Sequence, residues 1–352
     1  MFKRIWFILI AITLLAIPIF GACEAAGPVS TQNVKIGFVH IWPATSFQQT
    51  EQFTGYFKSV EAATKGKYTL EIQFYPTGTL LGPGDIYEGA RKGSVDAGCS
   101  VVSYTPGLFP VMLSLSQAGM APPINAKANS QTAWEFYNKF KPKEFEGTKV
   151  LYWFATPPAW LHSKTAVRKL EDAKGMDIRA TGASGKAVTA VGGNPQGMPN
   201  PEVLLAAQKG IVKGSVSPFE VLMTYKQAEA FDFSTFVPFF YSEQFYVVMN
   251  LNKWNSLPAD LQKAFNDTAD AAVKQAGELW HANEPKGMDY AKNSPGGHEL
   301  IYLDDAEAAR WIQVIKPIKD AYVAELKGKG FNGDEIASTA AKFAEDNNKK
   351  YK

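Results

Sequence analysis

A chain of 352 residues with 46% hydrophobic and 20% charged side chains is long and apolar enough to fill two domain cores, which excludes a disordered protein. Its 36 basic residues nearly balance 34 acidic ones. Nucleic acid, which demands a basic excess gathered on one face, is therefore not an expected partner.

Lys3 and Arg4 precede an uncharged apolar run from Ile5 to Ala22, then small residues at Ala25 and Ala26. This is the layout of a secretory signal over residues 1–26, with a retained membrane anchor as the rival that Pro18 and the small-residue boundary disfavour. Phe20-Gly21-Ala22-Cys23 offers lipidation of Cys23 as an alternative to simple cleavage. Either product faces the periplasm. Cys99 is then the one cysteine left in the fold, so no internal disulfide can form, and it reads as a small buried residue.

From Val34 onward the pattern is strand, then helix, repeated. Residues 35–40 form a β-branched strand, and 46–64 carry Phe47, Phe53, Phe57 and Val60 at helical spacing. A strand at 68–75, a turn at Pro76-Thr77-Gly78, a helix at 84–92 and a strand at 95–102 follow. After a helix at 131–141 and a strand at 149–154, a second series begins. It runs strand 176–180, helix 184–191, strand 196–198, helix 201–209 and strand 212–217. Such alternation predicts mainly parallel sheets covered by helices. Ala90 to Ala97 can be laid over Ala207 to Gly214, a weak echo that points to two similar domains.

The strand 245–249 precedes the longest helical pattern, 258–293, with a kink expected at Pro285. A helix of that length would span both domains. Helices at 305–327 and 333–347 close the chain. The expected division is 28–155 plus 244–282 for the first domain and 156–243 plus 283–352 for the second.

Arg179 ends the strand 176–180, where an open α/β sheet presents its carboxyl ends to ligands. There its planar fork suits a carboxylate, although an isolated arginine is most simply a solvated side chain. Trp42, Tyr104, Trp160 and Phe219 follow predicted strands and describe an apolar cleft wall around that cation. His40, His162, His281 and His298 are scattered, so no metal site and no cofactor is expected. Gly328 to Gly333 matches a Gly-x-Gly-x-x-Gly string but lacks a preceding strand, and reads as a turn between helices.

Several stretches together resemble one family. They are Lys174-Gly175-Met176-Asp177-Ile178-Arg179, Gly192-Gly193-Asn194-Pro195, Met198-Pro199, Glu202 with Ala206-Ala207-Gln208-Lys209-Gly210, and Gly214 to Pro218. Tyr75-Pro76-Thr77-Gly78 and Leu257-Pro258-Ala259-Asp260-Leu261-Gln262 extend the likeness. These resemble the substrate-binding proteins of tripartite ATP-independent periplasmic (TRAP) transporters, of the dicarboxylate-binding type. The resemblance implies an α/β periplasmic-binding-protein fold with two domains, mixed and mainly parallel sheets, an interdomain cleft and a long spanning helix. It also implies a non-enzymatic protein that passes an organic acid to the small and large TRAP membrane subunits; a monomer is expected.

In the family the arginine matching Arg179 pairs with the ligand carboxylate, and Ser217 matches a polar contact. Trp42, Ser103 and Tyr104 are expected to close onto the ligand, with His40, Tyr241 and Phe219 beside them. Pro157-Pro158-Ala159-Trp160 stands where some relatives carry a second arginine, and Asn200 falls near a ligand-packing aromatic of others. Both departures favour a monocarboxylate with an apolar or aromatic body, such as a 2-oxo acid or an aryl acid. The alternatives are a periplasmic enzyme using His40 or His162 as general base, and the binding protein of an ATP-driven importer or a sensor.

Overall fold

The computed structural model describes residues 31–352. The signal segment and Cys23 lie outside the described residues. Strands β1 (Gln32–His40), β2 (Tyr68–Tyr75), β3 (Ala97–Val101) and β4 (Thr148–Ala155) belong to one sheet. Strands β5 (Trp160–Ser163), β6 (Asp177–Ala180), β7 (Asn194–Gly197), β8 (Gly214–Ser217) and β9 (Phe233–Phe236) belong to another. The chain then returns with β10 (Gln244–Asn250) to the first sheet and with β11 (Glu299–Ile301) to the second. The orders are β2-β1-β3-β10-β4 and β11-β9-β5-β8-β6-β7.

Both sheets are mixed. In the first, β1 pairs in parallel with β2 and β3, while β10 runs antiparallel to both its neighbours. In the second, β5 is antiparallel to β8 and β9, and β6 is parallel to β7 and β8. The two strands that run against their neighbours, β5 and β10, each follow a crossing between lobes, whereas β11 follows one too and pairs in parallel with β9. Local alternation of strand and helix cannot announce that.

Position in the sheet explains residue choice. Central β10 is buried along its whole length, whereas edge strand β2 alternates buried and exposed positions on its first turns. Interior β3 is made of small residues because it is crowded. A Cβ at Gly98 would lie 2.7 Å from Ile86 Cγ2 and 2.9 Å from Val39 Cγ1. The internal echo corresponds to two equivalent junctions. Helix Ile86–Lys92 turns through Gly93 (φ 81°) into β3, and helix Asn200–Gln208 turns through Gly210 (φ 74°) into β8.

Two strand-like connections cross between the lobes side by side. Thr156 N donates to Glu243 O (3.0 Å), Glu243 N to Thr156 Oγ1 (2.9 Å), and Ala159 N to Tyr241 O (3.2 Å). The long helical pattern forms the third link. Helix Ala269–Lys292 packs its first half on helix Ala126–Phe140 and β4, and its second half on the segment around Glu220.

Several elements depart from expectation. The helix at 258–293 is broken at Thr268, between Ala259–Asp267 and Ala269–Lys292, and it continues through Pro285. Thr268 turns its hydroxyl back onto Ala264 O (2.8 Å), an internal bond that competes with the helical ladder. The helix at 305–327 is two helices, Asp305–Ile315 and Pro317–Gly328, the second begun by Pro317, whose ring suits a first helical turn. The C-terminal helix Gly333–Lys350, expected with the second lobe, packs on helix Ala126–Phe140 of the first. Asn347 Nδ2 bonds Glu135 Oε2 there (2.9 Å), and Ile336, Ala337 and Ala340 enter the first lobe's core.

Candidate functional site

Arg179 lies on β6 between Gln196 of β7 and Ser215 of β8. The strand is only four residues long, so the guanidinium reaches past the sheet end into the space between the lobes. It is 1% exposed. Nε donates to Met198 O (2.9 Å), Nη1 to Val216 O (3.2 Å) and Nη2 to the Tyr104 hydroxyl (3.4 Å). All these partners are neutral. No described carboxylate comes close enough to pair with it, and a guanidinium with five donors keeps further N–H groups free. Burial of a cation without an ion-pair partner is costly.

A narrow cavity in front of Arg179 is lined by residues of both lobes. Trp42, Phe245 and Trp280 form an aromatic wall, with ring centroids 5.1 Å apart for Trp42–Phe245 and 5.5 Å for Phe245–Trp280. Phe154 stacks beneath Phe245 at 4.7 Å. Trp42 is held in place because its carbonyl accepts from Thr77 N (3.1 Å) in the turn that follows β2. A wider opening lined by Gly84, Ser103, Pro106, Gly182 and Pro199 leads outward from Tyr104 and Thr181.

Tyr104 bridges the lobes. Its oxygen accepts from Arg179 and from Asn200 N (3.0 Å), which leaves its own proton to donate. Burial pushes the phenol pKa upward, so that proton stays on at neutral pH. Tyr241 shares the Val216 carbonyl with Arg179 (3.2 Å).

Two buried acids also line the cavity. Glu243 takes bonds from Ser103 Oγ (2.5 Å) and Thr181 Oγ1 (3.2 Å) on Oε2 and from Gln244 N (3.2 Å) on Oε1. Burial pushes its carboxyl up to about 7, against these bonds and the Arg179 charge. Glu220 accepts from Gln48 Nε2 (2.6 Å) and Thr224 Oγ1 (2.7 Å), and burial likewise raises it to about 7. Gln48 reaches it from a first helical turn wound in π fashion, Gln48–Phe53, where a uniform α-helix was expected.

Of the expected ligand contacts, Arg179, Trp42, Tyr104, Asn200 and Tyr241 line the cavity. Ser103 stands at its opening and bonds Glu243. His40, Trp160, Ser217 and Phe219 do not line it. His40 sits behind Trp42, with Nδ1 accepting from Trp42 N and Nε2 facing Gln49 Oε1 (2.9 Å), and burial lowers its pKa to about 4. Trp160 begins β5, a strand the sequence reading missed, and is drawn into the second lobe's core against Phe219 and Phe236. Phe219 packs its ring against Trp160 and His162. Ser217 ends β8 with its hydroxyl buried and without a partner among the described residues. His162 has both ring nitrogens engaged, by Ser234 Oγ (2.6 Å) and Pro218 O (3.4 Å), and lies outside the cavity.

Glu220, Glu243 and Trp280 escaped the sequence reading. Glu243 had a signal of sorts, a lone acid just before an apolar strand. Glu220 and Trp280 had none, since each meets the cavity only through packing across lobes.

Residues 38–326 match the family described as bacterial extracellular solute-binding protein, family 7. A TRAP solute-binding protein from Rhodoferax ferrireducens, solved with copurified benzoate, is 25% identical, with 91% of this chain and 100% of that one covered and a TM-score of 0.84. A marine-metagenome TRAP solute-binding protein specific for aromatic acid ligands, solved with metahydroxyphenylacetate, is 26% identical over 89% of this chain and 99% of that one, with a TM-score of 0.83. A monocarboxylate 2-oxoacid-binding periplasmic protein from Nostoc is 23% identical over 66% of this chain and 64% of its own length.

Proposed function

The chain belongs to bacterial extracellular solute-binding protein family 7, and from that premise we propose that it captures an organic monocarboxylate with an apolar or aromatic body between its two lobes. The observation that carries this reading is Arg179, fully buried in a cavity with neutral partners and donors to spare. A carboxylate set against the free N–H groups and the Tyr104 proton would complete the charge balance, with charge-assisted bonds in a water-poor site. Trp42, Phe245 and Trp280 then take the apolar body by ring packing. Among the described residues that line the cavity Arg179 is the one cation, which favours a monoacid over a diacid.

TRAP solute-binding proteins work with membrane components, and the proposed course of events here is capture, closure and delivery to those components. The paired connections at Thr156 and Glu243 are the natural hinge, since they carry the chain between lobes with few bonds to break. Trp42 and Ser103 come from the first lobe, Arg179 and Asn200 from the second, so ligand bound to both favours the closed form. The protein is proposed to act as a monomer in the periplasm, after loss of residues 1–26 or acylation of Cys23.

Native mass spectrometry of the purified protein, followed by titration calorimetry with aryl, 2-oxo and dicarboxylic acids, tests the reading. Expected is one-to-one binding of a monocarboxylate that is recovered unchanged. Tighter binding of a diacid, or of an uncharged solute, would overturn it.

A further inference from the structure

Glu220 is a residue that carboxylate capture by Arg179 does not use. It is fully buried and borders the same cavity. Both of its donors, Gln48 Nε2 and Thr224 Oγ1, bond Oε1. Oε2 is buried and has no partner at all. Buried polar atoms nearly always find a partner, and one left unmatched costs on the order of 1–3 kcal/mol. Helix Ala269–Lys292 approaches the Glu220 backbone closely at Gly287, where a Cβ would stand 3.1 Å from Glu220 Cα, so this stretch of chain is held against the helix while its side chain lines the cavity.

We propose that Glu220 Oε2 is a second polar subsite, which selects carboxylates bearing a hydroxyl group over the same acids without one. The proposal rests on Arg179 being the carboxylate clamp. A hydroxyl matches one free oxygen whichever proton state that oxygen holds, since it can donate to a carboxylate or accept from a carboxylic acid. A second carboxylate would meet an acid with an acid. An ammonium would arrive with three donors for a single free acceptor, and would lose its hydration among Trp42, Phe245 and Trp280. Discrimination of this kind is strong because the unhydroxylated ligand leaves the buried oxygen unmatched.

The test is calorimetry with phenylacetate, mandelate, 3-hydroxyphenylacetate and phenylglycine against wild type, Glu220→Met, Glu220→Gln and Arg179→Met. In wild type at least one hydroxy acid should bind about tenfold or more tightly than phenylacetate. Glu220→Met should bring that ratio to within about twofold while phenylacetate binding persists, and Glu220→Gln, which keeps a polar atom at the cavity, should restore part of it. Arg179→Met should lose all the acids together. The wild-type ratio decides even if a Glu220 variant folds poorly. No preference for either hydroxy acid, a preference for phenylglycine, a ratio unchanged in Glu220→Met, or no binding by any of the panel overturns the proposal. Unaltered binding by Arg179→Met would instead overturn the clamp on which it rests.

Discussion

Replacing Arg179 with methionine separates a binding residue from a structural one. Methionine fills much of the same volume without charge, so the perturbation is the loss of the fork. A ligand carboxylate would forfeit two charge-assisted hydrogen bonds, each worth roughly 1.5–3 kcal/mol when buried. Taking the low end of each, because some water will enter the vacated space, the loss is about 3 kcal/mol, or roughly 150-fold in Kd. The ligand-free protein should respond differently. Met198 O loses its Arg179 donor, but Val216 O keeps Tyr241, and the removal of an unpaired buried cation offsets the orphaned carbonyl. Little change in apo melting temperature is therefore expected beside a large loss of affinity. Calorimetric titration with the best natural monocarboxylate, paired with scanning calorimetry of the apo form, measures both. A Kd within threefold of wild type would show that Arg179 does not hold the ligand, whatever its burial.

Tyr104→Phe removes the oxygen that accepts from Arg179 and Asn200 across the cleft, and affinity should fall about fivefold, near 1 kcal/mol. Small-angle scattering should show a more open apo form, and an unchanged profile would remove Tyr104 from closure. Glu144, Glu220, Glu243 and Glu284 are each raised by burial from a usual 4.5 to about 7. Their folded forms bind protons that the unfolded chain has released, so the stability they contribute is full below 4.5 and is lost as pH rises through about 7. His40 and His162, lowered to about 4 and about 3, act oppositely and only below their usual 6.5. Apo melting temperature should thus drop between pH 6.5 and 8, and a rise across that window would contradict the burial argument. Gly277→Ala places a Cβ 2.9 Å from Lys127 Cα and 3.2 Å from Ala126 O, backbone that cannot swing aside. Urea denaturation should report a loss of about 1–3 kcal/mol, with ligand affinity unaffected at a distance; a loss below about 0.5 kcal/mol would mean the helices reseat freely.

Features that depend on neighbours along the chain are legible in the order of residues. Alternation marked β2 to the residue, the Gly93 and Gly210 stops marked two equivalent helix–strand junctions, and Arg179 at the end of a short strand marked a cation that lines the cavity. Trp42 and Tyr104 were legible because a residue just past a strand's carboxyl end has few other places to point. The rest came from packing between segments distant in the chain. Four-residue strands such as β5 and β9 are too short for a period to show, and they exist because β8 offers one edge and the chain re-enters beside it. Trp160 and Phe219 carry the right chemistry for a cleft wall, yet they found each other and Phe236 first, and apolar burial has no preferred direction. Glu220, Glu243 and Trp280 reach the cavity from segments far apart in the chain. Their roles, and the pKa values of both acids, come from being enclosed, a property of the assembled lobes that no local run of residues carries.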